Sequence, residues 1–197
     1  VTGYMFASGV ISGQTYRLSL GEKVLTVKDA GLGNDSDVVT WSETNVNSQR
    51  WILTPGTGND YQWTNAYSGK YLACRGNAVT GVQICQMTSG EKAATWQIVP
   101  VENQDGLYYI TQSGLYMEAT DLNSDGGNVK LNPKRGGALA ERQMWKLEAV
   151  EAQPNYLTET SRDEMMKGWK DLYYDDRLGR IGEGGFWGDA EMFEIIL

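Results

Sequence analysis

The sequence predicts an all-β fold of three four-stranded repeats, followed by a short α-helical segment. Three observations carry that prediction. Short β-type runs recur between turns rich in Gly, Asn and Asp. Three tryptophans, Trp51, Trp96 and Trp145, recur at spacings of 45 and 49 residues, and each opens such a run. Charge and texture then change together near residue 152, where Ala152-Gln153-Pro154-Asn155 marks a boundary.

The elements fall into register when the tryptophans are aligned. The first repeat, about residues 12–55, has a leading strand at 15–20, a second at 23–27, a polar turn, a third at 38–41 and a fourth opened by Trp51. The second repeat, about 56–102, places the same four at 61–65, 70–74, 82–85 and 96–99. The third, about 103–150, places them at 107–111, 115–119, 129–132 and 145–147. In each second strand the alternate positions are apolar: Leu25 and Val27, Leu72 and Cys74, Met117 and Ala119. One strand face is therefore to be buried. A single unit cannot bury that face alone. Three units closing into a pseudo-threefold barrel, capped by hairpins and each sealed by its own tryptophan, can. That architecture is a β-trefoil, over residues 1–152.

Composition narrows the chemistry. The chain has 197 residues, of which 41% are hydrophobic, so one domain of about 150 residues with a sizeable core is expected beside a smaller appendage. There is no histidine, which excludes Ser-His-Asp and Cys-His nucleophilic sites and imidazole ligation of zinc. Two cysteines cannot make a four-cysteine metal site. No cofactor or metal is expected. The net charge of −8 argues against nucleic acid as a partner. Most of it lies in residues 151–197, with 11 acids and 5 bases, against 14 and 12 in residues 1–150, so it says little about a ligand of the trefoil. No run approaches the roughly 20 apolar residues of a membrane span. The first ten residues lack a signal-peptide pattern and an initiator Met, so the sequence reads as a fragment.

Gln49-Arg50-Trp51 and Gln143-Met144-Trp145 are two Q-x-W motifs, and Ala94-Thr95-Trp96 is a degenerate third. On these motifs residues 12–150 resemble the ricin-type (R-type) β-trefoil lectins. The resemblance implies carbohydrate binding. It implies contacts from an Asp in the second strand, an aromatic ending the third, and polar residues beside the Q-x-W. The Gln and Trp of the motif itself serve chiefly as packing and hairpin hydrogen-bond residues. The first lobe keeps Asp29, Trp41 and Gln49, with Thr26 in place of the strand Asp and Ser48 in place of an Asn. The second has Ala73, Cys85 and Ala94 at the corresponding places and is read as inactive. The third offers Glu118 and Asp121, with Asn132 instead of the aromatic. The alternative roles are lobe packing for Trp41 and turn formation for Asp29 and Asp121.

Other motifs are weaker. Residues 121–126 open like a calcium loop, but the twelfth position is Asn132 where a bidentate Glu is needed, and a strand follows instead of a helix. Cys74 and Cys85 flank a ten-residue hairpin, which suggests a disulfide and an extracytoplasmic home. In residues 153–197, Ser161-Arg162-Asp163-Glu164 is a capping box, and Met165, Trp169, Leu172 and Tyr173 form an apolar helical stripe. This segment, with Gly185-Phe186-Trp187 and the acidic-apolar run after it, resembles the opening of (α/α)6-barrel glycoside hydrolases of the α-1,6-mannanase type. None of that family's catalytic residues is placed here, and Asp175-Asp176 reads as solvated charge. Gly182-Glu183-Gly184-Gly185 lacks the Lys-Ser/Thr of a phosphate loop.

Two function classes result. One is a carbohydrate-binding module accessory to a secreted or periplasmic glycan-degrading enzyme. Its partners would be a glycan and an adjoining catalytic domain. The other is a trefoil with decayed sugar sites that serves as a structural or protein-docking domain. No catalytic residue is assigned within the chain.

Overall fold

A computed structural model describes Val10, residues 12–88 and residues 94–151. Contacts divide the chain into Val1–Gln153 and Pro154–Leu197. The expected helical tail and its glycoside-hydrolase resemblance fall outside the described residues. Within them are twelve strands: β1 (Thr15–Leu20), β2 (Lys23–Val27), β3 (Val38–Ser42), β4 (Trp51–Pro55), β5 (Tyr61–Asn65), β6 (Tyr71–Cys74), β7 (Ile84–Met87), β8 (Gln97–Pro100), β9 (Leu107–Gln112), β10 (Leu115–Ala119), β11 (Gly127–Asn132) and β12 (Trp145–Ala149). The fold is a β-trefoil, as the repeats require.

The first and fourth strands of each repeat make the barrel. β1 pairs with β4, β4 with β5, β8 with β9, β9 with β12, and β12 returns to β1. The bridge between Tyr61 and Trp96 joins β5 to β8 and completes the ring, which leaves no barrel edge unpaired. The same pair of residue types recurs at Tyr16 opposite Trp51 and Tyr108 opposite Trp145. Inside, Leu18, Trp63 and Ile110 occupy equivalent positions and are fully buried. The larger Trp63 meets Tyr16 edge to face at 5.9 Å between ring centroids.

The second and third strands form three hairpins, β2–β3, β6–β7 and β10–β11, that cap the barrel. Each hangs on its tryptophan. The indole N–H of Trp51 donates to the Leu25 carbonyl at 3.0 Å, that of Trp96 to Leu72 at 2.8 Å, and that of Trp145 to Met117 at 2.9 Å. All three indoles are fully buried, and so are all six alternate residues named above.

Neighbouring hairpins interlock by a second threefold set. The backbone N–H of Asp35 donates to Gln86, that of Gly81 to Leu131 and that of Gly126 to Thr40, at 3.0, 2.7 and 2.8 Å. The donors have φ of 60°, 82° and 84°, so this position requires the left-handed backbone that glycine adopts without strain. Two of the three are glycines, and Asp35 is the exception.

The expected disulfide is absent, and the register explains why. Cys74 lies opposite Ile84, and Cys85 opposite Ala73. The two cysteines are therefore one residue out of step on paired strands, and their side chains take opposite faces. Both are free and buried. The Cys74 thiol donates instead to Oε1 of Gln112. Burial, with the neighbouring Cys85 adding, pushes the Cys74 thiol up to about 12. Burial pushes Cys85 up to about 11. The native protein should therefore leave both thiols unreacted with an aromatic disulfide reagent at about pH 8, and release two equivalents once unfolded in guanidinium.

The register also corrects the second repeat's third strand. The sequence suggests 82–85, whereas the strand is Ile84–Met87. Tyr71 pairs with Met87 just as Val24 pairs with Trp41, so Met87, and not Cys85, holds the place of the first lobe's aromatic. Trp51→Phe tests the hairpin tether. It keeps most of the buried ring but strands the Leu25 carbonyl, and should cost about 1–3 kcal/mol in urea unfolding. An unchanged midpoint would count against the tether.

Candidate functional site

The outer face of the β2–β3 hairpin carries Val24, Thr26, Val39 and Trp41, because Leu25, Val27, Val38 and Thr40 alternate to the inner one. The first three of that outer set are buried, whereas Trp41, near the end of β3, is only partly buried. Its ring borders the third lobe, with Cζ3 standing 3.4 Å from where a Cβ on Gly126 would lie.

Gln49 lies beneath this face, fully buried in a short 3-10 turn at Asn47–Gln49. Its amide is saturated. Oε1 accepts from the Thr44 N–H at 2.8 Å and the Thr44 hydroxyl at 3.1 Å, while Nε2 donates to the Ser42 carbonyl at 2.8 Å and to Thr26 Oγ1 at 3.2 Å. Gln49 thus ties β2, β3 and the following loop together. Asp29 sits elsewhere, exposed in the β2–β3 turn with φ 55°. The backbone from Val24, opposite Trp41, to Val27 spans about 10 Å of hairpin before the turn that holds Asp29. The structure brings Gln49 under the hairpin face and places Asp29 in the turn beyond the far end of β2.

Another carboxylate reaches this end of β3, and it comes from the third lobe. Asp125 Oδ1 accepts from the Ser42 N–H at 2.7 Å, the Ser42 hydroxyl at 2.8 Å and Lys23 Nζ at 2.6 Å. Lys23 also donates to Ser42 Oγ at 3.1 Å. The hydrogen bond from Lys23, then those from Ser42, hold the Asp125 carboxyl below its ordinary value. Sequence reasoning missed Asp125 and Lys23. Asp125 bonds a residue 83 positions away, and no local pattern reports that pairing.

The third lobe's own hairpin is built differently. Glu118, 5% exposed, lies where Thr26 does in the first lobe. Arg135 grips it with Nε at 2.8 Å and Nη2 at 3.3 Å, Gln143 donates at 2.8 Å, and Asn132 at 3.1 Å. The ion pair raises the affinity of the Arg135 guanidinium for its proton. The two carboxylate oxygens thus accept four hydrogen bonds from the lobe's own side chains. Asp121 caps the adjoining turn, accepting the Asn123 N–H at 2.8 Å. That bond, the largest contribution, holds its carboxyl low. The second lobe presents Tyr71, Ala73, Cys85 and Met87 at the matching positions, with no carboxylate and with its ring on the second strand instead of the third.

The buried amide of Gln143 depends on Glu118 and on the Pro133 carbonyl, which it meets at 2.8 Å. Glu118→Ala should therefore strand one buried N–H and lower stability by about 1–3 kcal/mol in denaturant titration. A neutral result would mean that the network contributes nothing.

The model of the family described as ricin-type beta-trefoil lectin domain-like matches residues 10–87 and 47–132. No curated protein matches the chain. Among solved structures, the designed threefold-symmetric protein ThreeFoil is 26% identical, with a TM-score of 0.63, over 69% of this chain and 99% of that one. The exo-β-1,3-galactanase 1,3Gal43A of Clostridium thermocellum is 27% identical, with a TM-score of 0.64, over 72% of this chain but only 31% of the enzyme. The ricin B-like lectin of Macrolepiota procera, solved with lactose, is 19% identical, with a TM-score of 0.62, over 73% of this chain and all of that one, a likeness of fold.

Proposed function

The chain belongs to the ricin-type β-trefoil lectin-like family, and on that premise we propose that it is a carbohydrate-binding module acting through its first lobe. The observation that carries this reading is Trp41. It is a partly exposed indole at the aromatic position of the hairpin, on the outer face beneath which Gln49 lies. An aromatic face takes the C–H side of a pyranose, while neighbouring polar groups take its hydroxyls. The second and third lobes depart from this arrangement: one has Met87 in place of the third-strand ring and no carboxylate, and the other has spent its carboxylate on Arg135.

The reading extends to the protein's setting. The module serves a neighbouring glycan-degrading catalytic domain outside the cytoplasm. Two features support this: the trefoil match spans about a third of the galactanase, and residues 153–197 resemble the start of a glycoside hydrolase. The second reading, a docking or structural trefoil, is favoured by the internal saturation of Gln49 and Glu118.

A glycan array with the full chain separates the two. Binding to a defined set of glycans is expected, and Trp41→Ala should weaken it at least about tenfold, or about 1.4 kcal/mol, with an unchanged far-UV spectrum. No retention of any glycan by the wild type would establish the docking reading instead.

A further inference from the structure

The barrel register lines up three equivalent rows of side chains, each running across four strands from the barrel to a hairpin. The pairs Tyr16–Trp51, Tyr61–Trp96 and Tyr108–Trp145 set their phase. One row reads Thr15, Ile52, Thr64 and Tyr71, each residue directly opposite the next. Another reads Leu107, Lys146, Ser19 and Val24. The last reads Asp60, Gln97, Thr111 and Tyr116. In it Gln97 pairs with Thr111 and Thr111 with Tyr116, and the antiparallel Tyr61–Trp96 bridge puts Asp60 across from Gln97. This row is on the outer face, because Trp96, Ile98 and Ile110 alternate with it into the core. Of the three, it alone joins an aromatic ring to a carboxylate.

A cleft of about 570 Å³ opens along the row, with Asp60, Gln97 and Thr111, and also Thr57 and Ser113, in its lining. Its polar groups have capacity to spare. The Thr111 hydroxyl meets Gln97 Oε1 at 3.4 Å, a long bond, and neither N–H of the Gln97 amide has a partner among the described residues. Asp60 bonds through its backbone, accepting from the Gly56 N–H at 2.8 Å and donating to the Thr57 carbonyl at 3.2 Å. Its carboxylate has no partner among the described residues. Beyond Thr111 the row reaches Tyr116, a partly exposed ring braced edge to face against Tyr109 at 5.2 Å between centroids. From Tyr116 to Asp60 is a run of three strand spacings, about 14 Å.

We propose that this row is a second carbohydrate site, on the barrel wall where the second and third lobes meet, and that it takes an uncharged oligosaccharide. One sugar ring stacks on Tyr116, and hydroxyls further along the chain accept from the Gln97 amide and donate to the Asp60 carboxylate. Unspent donors and acceptors in a cleft suit a ligand rich in hydroxyls, and the length of the row suits a chain over a single sugar. Among the described residues that line the cleft Asp60 alone is charged, so an acidic chain would meet repulsion with no cation there to offset it. The inference rests on the carbohydrate-binding reading above and adds to it a site that shares no residue with the Trp41 hairpin face. On immobilised glycans both sites engage, so loss of either weakens retention through lost avidity.

A free ligand separates them. The test is calorimetric titration of the full chain with a soluble neutral tetrasaccharide, taken from the glycans that the wild type retains on the array, with thermal unfolding in parallel. The wild type should bind it at two sites and Trp41→Ala at one. Adding Gln97→Ala to Trp41→Ala should weaken the remaining site at least tenfold, and adding Asp60→Ala instead should do the same. Gln97 is exposed and Asp60 gives the fold no side-chain bond, so both changes should leave the unfolding midpoint nearly unmoved. A single wild-type site that Trp41→Ala abolishes would show the groove to be wrong and leave the lectin reading standing. A second site untouched by Gln97→Ala and Asp60→Ala would do so too, as would tighter binding of an acidic tetrasaccharide than of the neutral one by Trp41→Ala. If the wild type retains no glycan, the lectin reading falls and the groove with it.

Discussion

Three indole N–H bonds hold the cap to the barrel. Each hairpin buries apolar residues on its inner face, yet a two-stranded hairpin is marginal on its own in water. The tryptophan that opens each fourth strand is a barrel residue, and its side chain ends on a carbonyl of its own lobe's second strand. Barrel and cap are therefore ordered together. The bulk of the indole supplies the buried area, and its one polar atom specifies where the hairpin must lie. A phenylalanine could fill the space without choosing the position.

The second constraint is mutual support between lobes. No hairpin is closed by its own residues alone; each third strand accepts a backbone bond from the turn of a neighbour, and the cycle returns to its start. Such a junction places side chains from two distant segments within hydrogen-bond reach without any local motif. The donor at each junction has a left-handed backbone, which restricts the residue types that can stand there.

Legibility in the sequence followed the same division. The repeats were readable because Trp51, Trp96 and Trp145 recur in phase with alternating strands, and both signals are local. The third strand of the second repeat was misplaced by two residues, because Val82-Gln83-Ile84-Cys85 alternates as plausibly as the true strand does. Gln83 in fact bridges to Lys130 of the next lobe, a long-range pairing. The cysteines failed as a pair for the same reason, since face assignment depends on register. The place of Trp41 near the end of β3 was legible, because residue type and strand position are both local properties. The pairing of Asp125 with Ser42 was not legible because, in its own neighbourhood, Asp125 reads as part of a polar turn.

Residual hydrogen-bond capacity is what separates the candidate residues. Gln49 carries the family signature, yet its amide is spent on β2, β3 and Thr44. Glu118 has the charge that a sugar site wants, yet Arg135, Gln143 and Asn132 already occupy it. To bind a ligand, either would have to break an existing buried bond, at a cost comparable to what the ligand returns. Groups that the fold does not consume face no such exchange. Gln49 and Glu118 are thus committed to the fold within their lobes, and at the seam between lobes the Asp125 carboxylate does for Ser42 what the Asn34 amide does for Thr88.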